Sequence, residues 1–144
     1  MTKDQIELFH DSLSRCTATP QFLERFYELF VATSPAIAQK FSGTDWIRQK
    51  RMLVASFHLM MMAEETGTET DAHLERIAAL HGKRQLDIPP EMYSTWLECL
   101  LESAREHDEQ FNDEIELAWR SMMEKGIAFM QARYDAPKST NQSP

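Results

Sequence analysis

The sequence predicts an all-α protein, and three observations support that prediction. Hydrophobic residues recur at helical spacing along most of the chain. Only four of the 144 residues are glycine, and no alternating run of valine, isoleucine and threonine indicates a strand. Serine, threonine and asparagine residues stand where the apolar periods begin, as helix caps do. We expect one domain over residues 1–134, followed by a disordered polar tail over 135–144.

The first three predicted helices are marked by their starting residues. Thr2 and Gln5 form a capping-box pattern that opens the first helix. Thr19-Pro20 indicates a cap followed by the first residue of the second helix, because a proline there loses no helical hydrogen bond. Ser34-Pro35 repeats that signal and predicts a short third helix that runs to Phe41.

The longer helices follow a turn. Thr44 or Asp45 is expected to cap a helix over residues 46–64. Pro89-Pro90 predicts the start of the next long helix, and Asn112 is expected to cap the last one. We expect the contact between these last two helices to be anchored by their tryptophans, Trp96 and Trp119.

A short helical stretch ends in a histidine and lies between the helix over residues 46–64 and the one that Pro89-Pro90 starts. Leu74, Ile77, Ala78 and His81 fall on one helical face, and Gly82 then ends the helix. An imidazole at the end of an apolar face is suited to binding a metal. The alternative is a partly buried core histidine without a ligand role.

Composition excludes several classes of function. A net charge of −8 and a pI near 5.1 argue against a nucleic-acid-binding surface and against docking on an anionic membrane. The N-terminus has no apolar signal core, and the apolar stretch at residues 57–63 is too short to span a bilayer. Cys16 and Cys99 are too few for a disulfide framework. We therefore expect a cytoplasmic protein with reduced thiols.

An ordered set of residues then points to a known family. Phe26-Tyr27 lies in the second helix, Pro35 opens the third, and Phe41 follows six residues later. Gln49 and Leu53 lie on the long helix, and His81 comes after them. Over residues 5–134 this order resembles the bacterial single-domain globins. The resemblance implies a three-on-three helical sandwich around a haem b pocket.

The resemblance also implies a role for each of these residues. His81 would be the proximal ligand of the haem iron, and Phe41 would pack on the porphyrin face. Tyr27 and Gln49 would line the distal pocket, with Leu53 closing over the gas ligand. Alternatives remain for two of them: Tyr27 as a core tyrosine with its hydroxyl at the surface, and Gln49 as a solvated helix residue.

Further assignments concern the cofactor and the helix register. A shift of two residues would bring Arg51 rather than Gln49 near the ligand. Four more residues are assigned to the cofactor pocket: Ile77, Arg84, Ile88 and Tyr93. Arg84 would face a haem propionate, although a loop arginine can equally be solvated. Tyr93 can equally serve packing alone.

The function implied by the resemblance is reversible binding of O2, CO or NO at ferrous iron. Tyr27 and Gln49 would donate hydrogen bonds to bound O2. The protein would deliver O2, or act as a nitric oxide dioxygenase. Since the chain has no Gly-rich dinucleotide fingerprint, that activity would need a separate reductase. The alternatives are a haem-based gas sensor acting through a partner protein and a haem-free globin-shaped interaction module. Either a monomer or a homodimer is compatible with the sequence.

Overall fold

The computed structural model describes the backbone of residues 1–66 and 90–135, and the side-chain surroundings of residues 1–65 and 91–128. These parts of the chain contain no strand. Their six α-helices are α1 (Lys3–Thr17), α2 (Gln21–Val31), α3 (Pro35–Lys40), α4 (Trp46–Thr66), α5 (Tyr93–His107) and α6 (Asp113–Asp135). The short helix predicted to end at His81 and the predicted tail beyond residue 135 lie outside the described residues.

Local caps start most of these helices where the sequence predicts them. Thr2 Oγ1 accepts the Gln5 backbone N–H at 3.1 Å, and the Gln5 side chain accepts the Thr2 backbone N–H at 3.1 Å, which completes the capping box. Ser34 Oγ accepts the Ile37 N–H at 3.2 Å ahead of α3. The caps of α4 and α6 are carried by the side chains of Asp45 and Asn112.

Two helix starts differ slightly from the prediction. Pro20 occupies the cap position of α2 rather than its first helical turn, and Thr19 Oγ1 accepts the Gln21 N–H at 3.3 Å. Pro90–Met92 forms one 3-10 turn, and α5 begins only at Tyr93. Pro20 already has helical backbone angles and its carbonyl accepts the Glu24 N–H at 3.4 Å, so the first difference is one residue in where the helix begins.

The core joins helices that are distant in sequence. The most extensive helix pairs are α2 with α5 and α1 with α6. Trp119 of α6 is fully buried, and its ring lies 4.8 Å from Phe9 and 6.1 Å from both Phe22 and Phe57, measured between centroids. The ring of Trp96 meets that of Phe26 at 5.7 Å. The ring contacts of Trp119 thus run to α1, α2 and α4, and those of Trp96 run to Phe26 of α2 and Tyr93 of α5. That the two tryptophans anchor the contact between α5 and α6 stays a prediction.

A buried ion pair ties α1 to the turn after α5. The Asp108 side chain is completely buried. It accepts hydrogen bonds from Ser12 Oγ at 2.6 Å, from two nitrogens of Arg15 and from the Gln110 N–H at 2.9 Å. Ser12 in turn accepts the Trp119 indole N–H at 2.9 Å. This network therefore links α1, α6 and the end of α5.

Gly126 of α6 faces Met60 of α4. A Cβ at Gly126 would lie 2.7 Å from Met60 Sδ, so a larger residue there would require the flexible Met60 side chain to move. None of the helices in the described part of the chain has the length and apolar character needed to cross a membrane.

Candidate functional site

Two of the predicted distal residues meet directly. Tyr27 lies on α2 with 4% of its surface exposed, and Gln49 lies in the first turn of α4. Gln49 Nε2 donates a hydrogen bond to the Tyr27 hydroxyl oxygen at 3.2 Å. None of the described residues accepts the hydroxyl proton of Tyr27. Within residues 1–65 and 91–128, the pair therefore leaves the Tyr27 O–H donor without an acceptor in an apolar setting.

The pKa of Tyr27 keeps that donor protonated. Burial raises the pKa well above its usual value of 10, and the hydrogen bond from Gln49 offsets only part of that rise. An ionised phenol could accept but not donate a hydrogen bond. At physiological pH the Tyr27 hydroxyl is accordingly a neutral donor.

An aromatic wall surrounds the pair. Phe41 caps the C-terminal end of α3, which Ser34 and Pro35 start only six residues earlier, and it is buried. Its ring centroid lies 5.7 Å from that of Tyr27 and 6.0 Å from that of Phe30. The short α3 thus carries Phe41 to the end of α2 and sets it beside Tyr27.

Leu53 completes the apolar lining on α4. It follows Gln49 by one helical turn, so the two side chains share a face, and Leu53 is buried. Tyr27, Phe41 and Gln49 therefore come from separate segments of the chain and meet in one region, and Leu53 lies one turn along α4 from Gln49.

The side chains of Gln49 and Arg51, the two candidates for the residue near the ligand, lie in different places. Arg51 is exposed and lines a groove of about 380 Å³ together with Pro20, Leu23 and Val54. Gln49 instead touches Tyr27, and it also lines a separate depression of about 430 Å³ beside Lys40 and Arg48. The structure thus brings Gln49 to the predicted distal residue, whereas Arg51 points into another groove.

Tyr93 is the remaining described residue of the predicted site. It is the first residue of α5, and its buried ring packs edge-on against Trp96 at 6.4 Å. Burial raises the pKa of its phenol to about 12. Ile77, His81, Arg84 and Ile88 lie in residues 67–89, outside the described residues, so their assigned roles stay predictions.

Sequence reasoning missed one member of the aromatic wall. The Trp46 ring stacks on Phe41 with centroids 5.5 Å apart and an angle of 10° between the ring planes. It also lies 5.0 Å from the Tyr27 ring. The signal was present in the spacing, because Trp46, Gln49 and Leu53 fall at i, i+3 and i+7 on one helical face.

Comparison with known proteins decides the family. A family model of the globins matches residues 24–130, which is more than half of the chain. The chain belongs to the globin family. This globin is also similar to a solved structure from Pseudomonas aeruginosa PAO1, a protein described as structurally highly homologous to a human hemoglobin. The two share 35% sequence identity with a TM-score of 0.82, and the match covers 92% of this globin and 99% of the Pseudomonas chain. A search of curated proteins found no significant match.

These findings confirm the predicted all-α globin fold and the resemblance to bacterial single-domain globins. Membership of the family makes this a haem-binding globin. The described residues fit that cofactor, because an apolar, aromatic-lined region contains one buried hydroxyl whose proton they leave unaccepted. Tyr27, Phe41, Gln49, Leu53 and Tyr93 are the described residues assigned to the cofactor pocket from the sequence, and that assignment stays a prediction.

Proposed function

We propose that this globin binds a diatomic gas reversibly, with O2 as the preferred ligand and haem b as the cofactor. The haem iron, when present, supplies the position at which the gas binds, and His81 is the proposed proximal ligand. The observation that supports O2 above all is the Tyr27–Gln49 pair, in which Tyr27 is buried and Gln49 is half-buried. Its two donors are suited to a ligand that accumulates negative charge.

The two donors have separate tasks in this proposal. The Tyr27 hydroxyl holds its proton and donates it in a hydrogen bond to the gas ligand. The Gln49 amide fixes the hydroxyl oxygen at 3.2 Å and can offer a second N–H to the same ligand. Phe41 packs on the Tyr27 ring and shields the buried hydroxyl side of the pair, and a hydrogen bond is stronger where water does not compete for it.

This arrangement favours O2 over CO. Bound O2 draws more electron density than bound CO, so it gains more from a hydrogen-bond donor. Hydrogen bonds to a charged partner contribute about 1.5–3 kcal/mol, compared with roughly 0.5–1.5 kcal/mol for a neutral one. We therefore expect slow release of O2 and a smaller effect of the pair on CO.

Two physiological uses are consistent with that site: delivery of O2, and oxidation of nitric oxide by O2. The second needs electrons, and we propose that a reductase on a separate chain supplies them. Consumption of nitric oxide by the purified protein with a nicotinamide reductant, but with no reductase added, would contradict this part of the proposal.

The first test is the absorption spectrum of the protein supplied with haem, in the ferric, ferrous and ferrous–CO forms. We expect stoichiometric haem uptake and a CO-responsive spectrum. That response should be lost in His81→Ala and regained when imidazole is added, while His58→Ala, which alters an exposed histidine of α4, should behave as the unsubstituted protein. Failure to take up haem would overturn the proposal.

A further inference from the structure

Trp46 is a large apolar side chain in an unusual place. It is the first residue of α4, and 37% of its surface is exposed, whereas its two ring partners, Tyr27 and Phe41, are each 4% exposed. Trp46 is therefore the member of this aromatic group that separates the other two from solvent.

The contacts of Trp46 show what it constrains. The rings of Trp46, Tyr27 and Phe41 form a closed triangle, with centroid distances of 5.0, 5.5 and 5.7 Å. Phe26 contacts the Tyr27 ring as well, at 4.7 Å, so that ring is held by other aromatic rings as well as by the backbone of α2. Trp46 is the residue of α4 whose ring contacts the Tyr27 ring.

The same helix carries the partner of the Tyr27 hydroxyl. Trp46 and Gln49 are three residues apart and so lie on one face of α4. One rigid element thus holds both the ring of Tyr27, through Trp46, and its hydroxyl, through Gln49. Without the indole, the Tyr27 ring would have space to turn away, and water would reach a hydroxyl that burial now protects.

We propose that Trp46 is a positioning residue that holds the Tyr27 hydroxyl toward the gas ligand and thereby sets the preference for O2 over CO. This inference rests on the proposed function. Trp46 acts through Tyr27 and need not touch the ligand itself.

The test compares Trp46→Leu with two other variants. Trp46→Leu keeps an apolar side chain but removes the ring, and Trp46→Phe keeps a ring. Ile47→Ala is the matched control, because Ile47 is the adjacent residue, is 68% exposed and belongs to no ring contact. Rates of O2 and CO dissociation are measured for each, together with haem content and thermal stability.

We expect Trp46→Leu to raise the O2 dissociation rate about 2- to 10-fold, the range that corresponds to the loss of one aromatic pair. The CO rate should change less, Trp46→Phe should recover most of the difference, and Ile47→Ala should change neither rate. The infrared stretching frequency of bound CO gives an independent readout. It should rise in Trp46→Leu, because a donor that points at CO lowers that frequency.

A double-mutant cycle separates positioning from simple shielding. If Trp46 acts through Tyr27, then Trp46→Leu should have no further effect in a Tyr27→Phe background. Equal acceleration of O2 and CO release in both backgrounds would overturn the inference, and so would unchanged rates in Trp46→Leu. If that variant does not fold, Trp46→Phe replaces it in the cycle, with a smaller effect expected.

The outcome for Tyr27→Phe alone distinguishes this inference from the proposed function. Faster O2 release in Tyr27→Phe with no effect of Trp46→Leu contradicts only the role of Trp46. Unchanged O2 release in Tyr27→Phe contradicts the proposed donor itself, and with it any residue that positions that donor.

Discussion

Tyr27 combines deep burial with a hydroxyl that accepts one hydrogen bond and leaves its own proton available. Such a group is costly to keep in an apolar region unless a partner uses it. Gln49 satisfies the oxygen, but none of the described residues satisfies the proton. At the scale of single residues, this imbalance is the strongest indication of a ligand in the described structure.

Removing the Tyr27 hydroxyl should therefore speed the release of O2. We expect Tyr27→Phe to raise the O2 dissociation rate about 10- to 100-fold, which corresponds to the loss of one hydrogen bond to a charged acceptor. Stopped-flow or flash-photolysis kinetics would measure it. Ser103→Ala is the matched control, because it also removes a buried hydroxyl, one that donates to the Phe22 carbonyl at 2.6 Å. A similar acceleration in both variants would mean that the effect is not specific to Tyr27.

The register of α4 leads to a second prediction at this scale. Gln49→Leu removes the amide that holds the Tyr27 hydroxyl, so we expect faster O2 release, by up to about tenfold. Arg51→Leu removes a longer polar side chain from the neighbouring groove and should leave the rate unchanged. Faster O2 release in Arg51→Leu, with no change in Gln49→Leu, would show that Arg51 is the residue near the ligand.

At the scale of secondary structure, the start of α3 determines where Phe41 lies. Ser34 and Pro35 define the first turn of a helix that is only six residues long, and Phe41 caps its end. Because the helix is so short, its cap contributes a large share of its local stability. Loss of the Ser34 cap is therefore expected to displace Phe41 and disturb the aromatic wall beside Tyr27.

Removing this cap should affect stability and haem retention together. We expect Ser34→Ala to cost about 1 kcal/mol in the free energy of unfolding and to accelerate haem loss by up to about fivefold. Thr2→Ala is the control, since it removes an equivalent cap on α1 at a position remote from Phe41 along the chain. Thermal or denaturant unfolding should show that Thr2→Ala lowers the free energy of unfolding by a similar amount, while the rate of haem loss stays unchanged. Equal haem loss in both variants would contradict the link from α3 to the site.

At the scale of the whole molecule, Asp108 joins segments that are far apart in the chain. Burial alone would raise the pKa of Asp108, but hydrogen bonds from Arg15, Ser12 and the Gln110 N–H more than offset that effect. The result is a pKa below the usual value of 3.8. The carboxylate is therefore stabilised in the folded state and links the first helix to the turn between the last two.

Linkage then determines the direction of the pH effect. Because the pKa is lower in the folded state, the contribution of Asp108 is fully present above about pH 4 and is lost as pH falls through the folded-state value. We expect Asp108→Asn to cost about 3 kcal/mol at neutral pH, the lower end of the range for breaking a buried pair, since Arg15 is partly exposed.

The measurement is denaturant unfolding of both proteins between pH 7 and about pH 3. The difference in stability between the unsubstituted protein and Asp108→Asn should shrink as pH falls below 4. Glu102→Gln serves as the control, because Glu102 pairs with Arg105 at the surface and should cost well under 1 kcal/mol. A difference that is independent of pH would show that Asp108 does not act through its charge.

The features that the sequence determined by itself are those set by neighbours along the chain. Helical periodicity, the caps at Thr2, Ser34 and Asn112, and the spacing that puts Gln49 and Leu53 on one face all depend on residues three or four positions apart. These interactions repeat in any helix, so the pattern of residues is sufficient to predict them. The order of residues from Phe26 to His81 indicated the family, because that order resembles the bacterial single-domain globins.

Only the tertiary structure decided which distant residues meet. Ser12 and Asp108 are 96 positions apart, and Ser12 and Trp119 are 107 apart. The Tyr27–Gln49 hydrogen bond spans 22 residues and two turns, and the contacts of Trp46 depend on the angle at which α4 meets α2 and α3. Such contacts arise from how whole helices pack, and packing is set by the sum of many buried surfaces rather than by any local pattern.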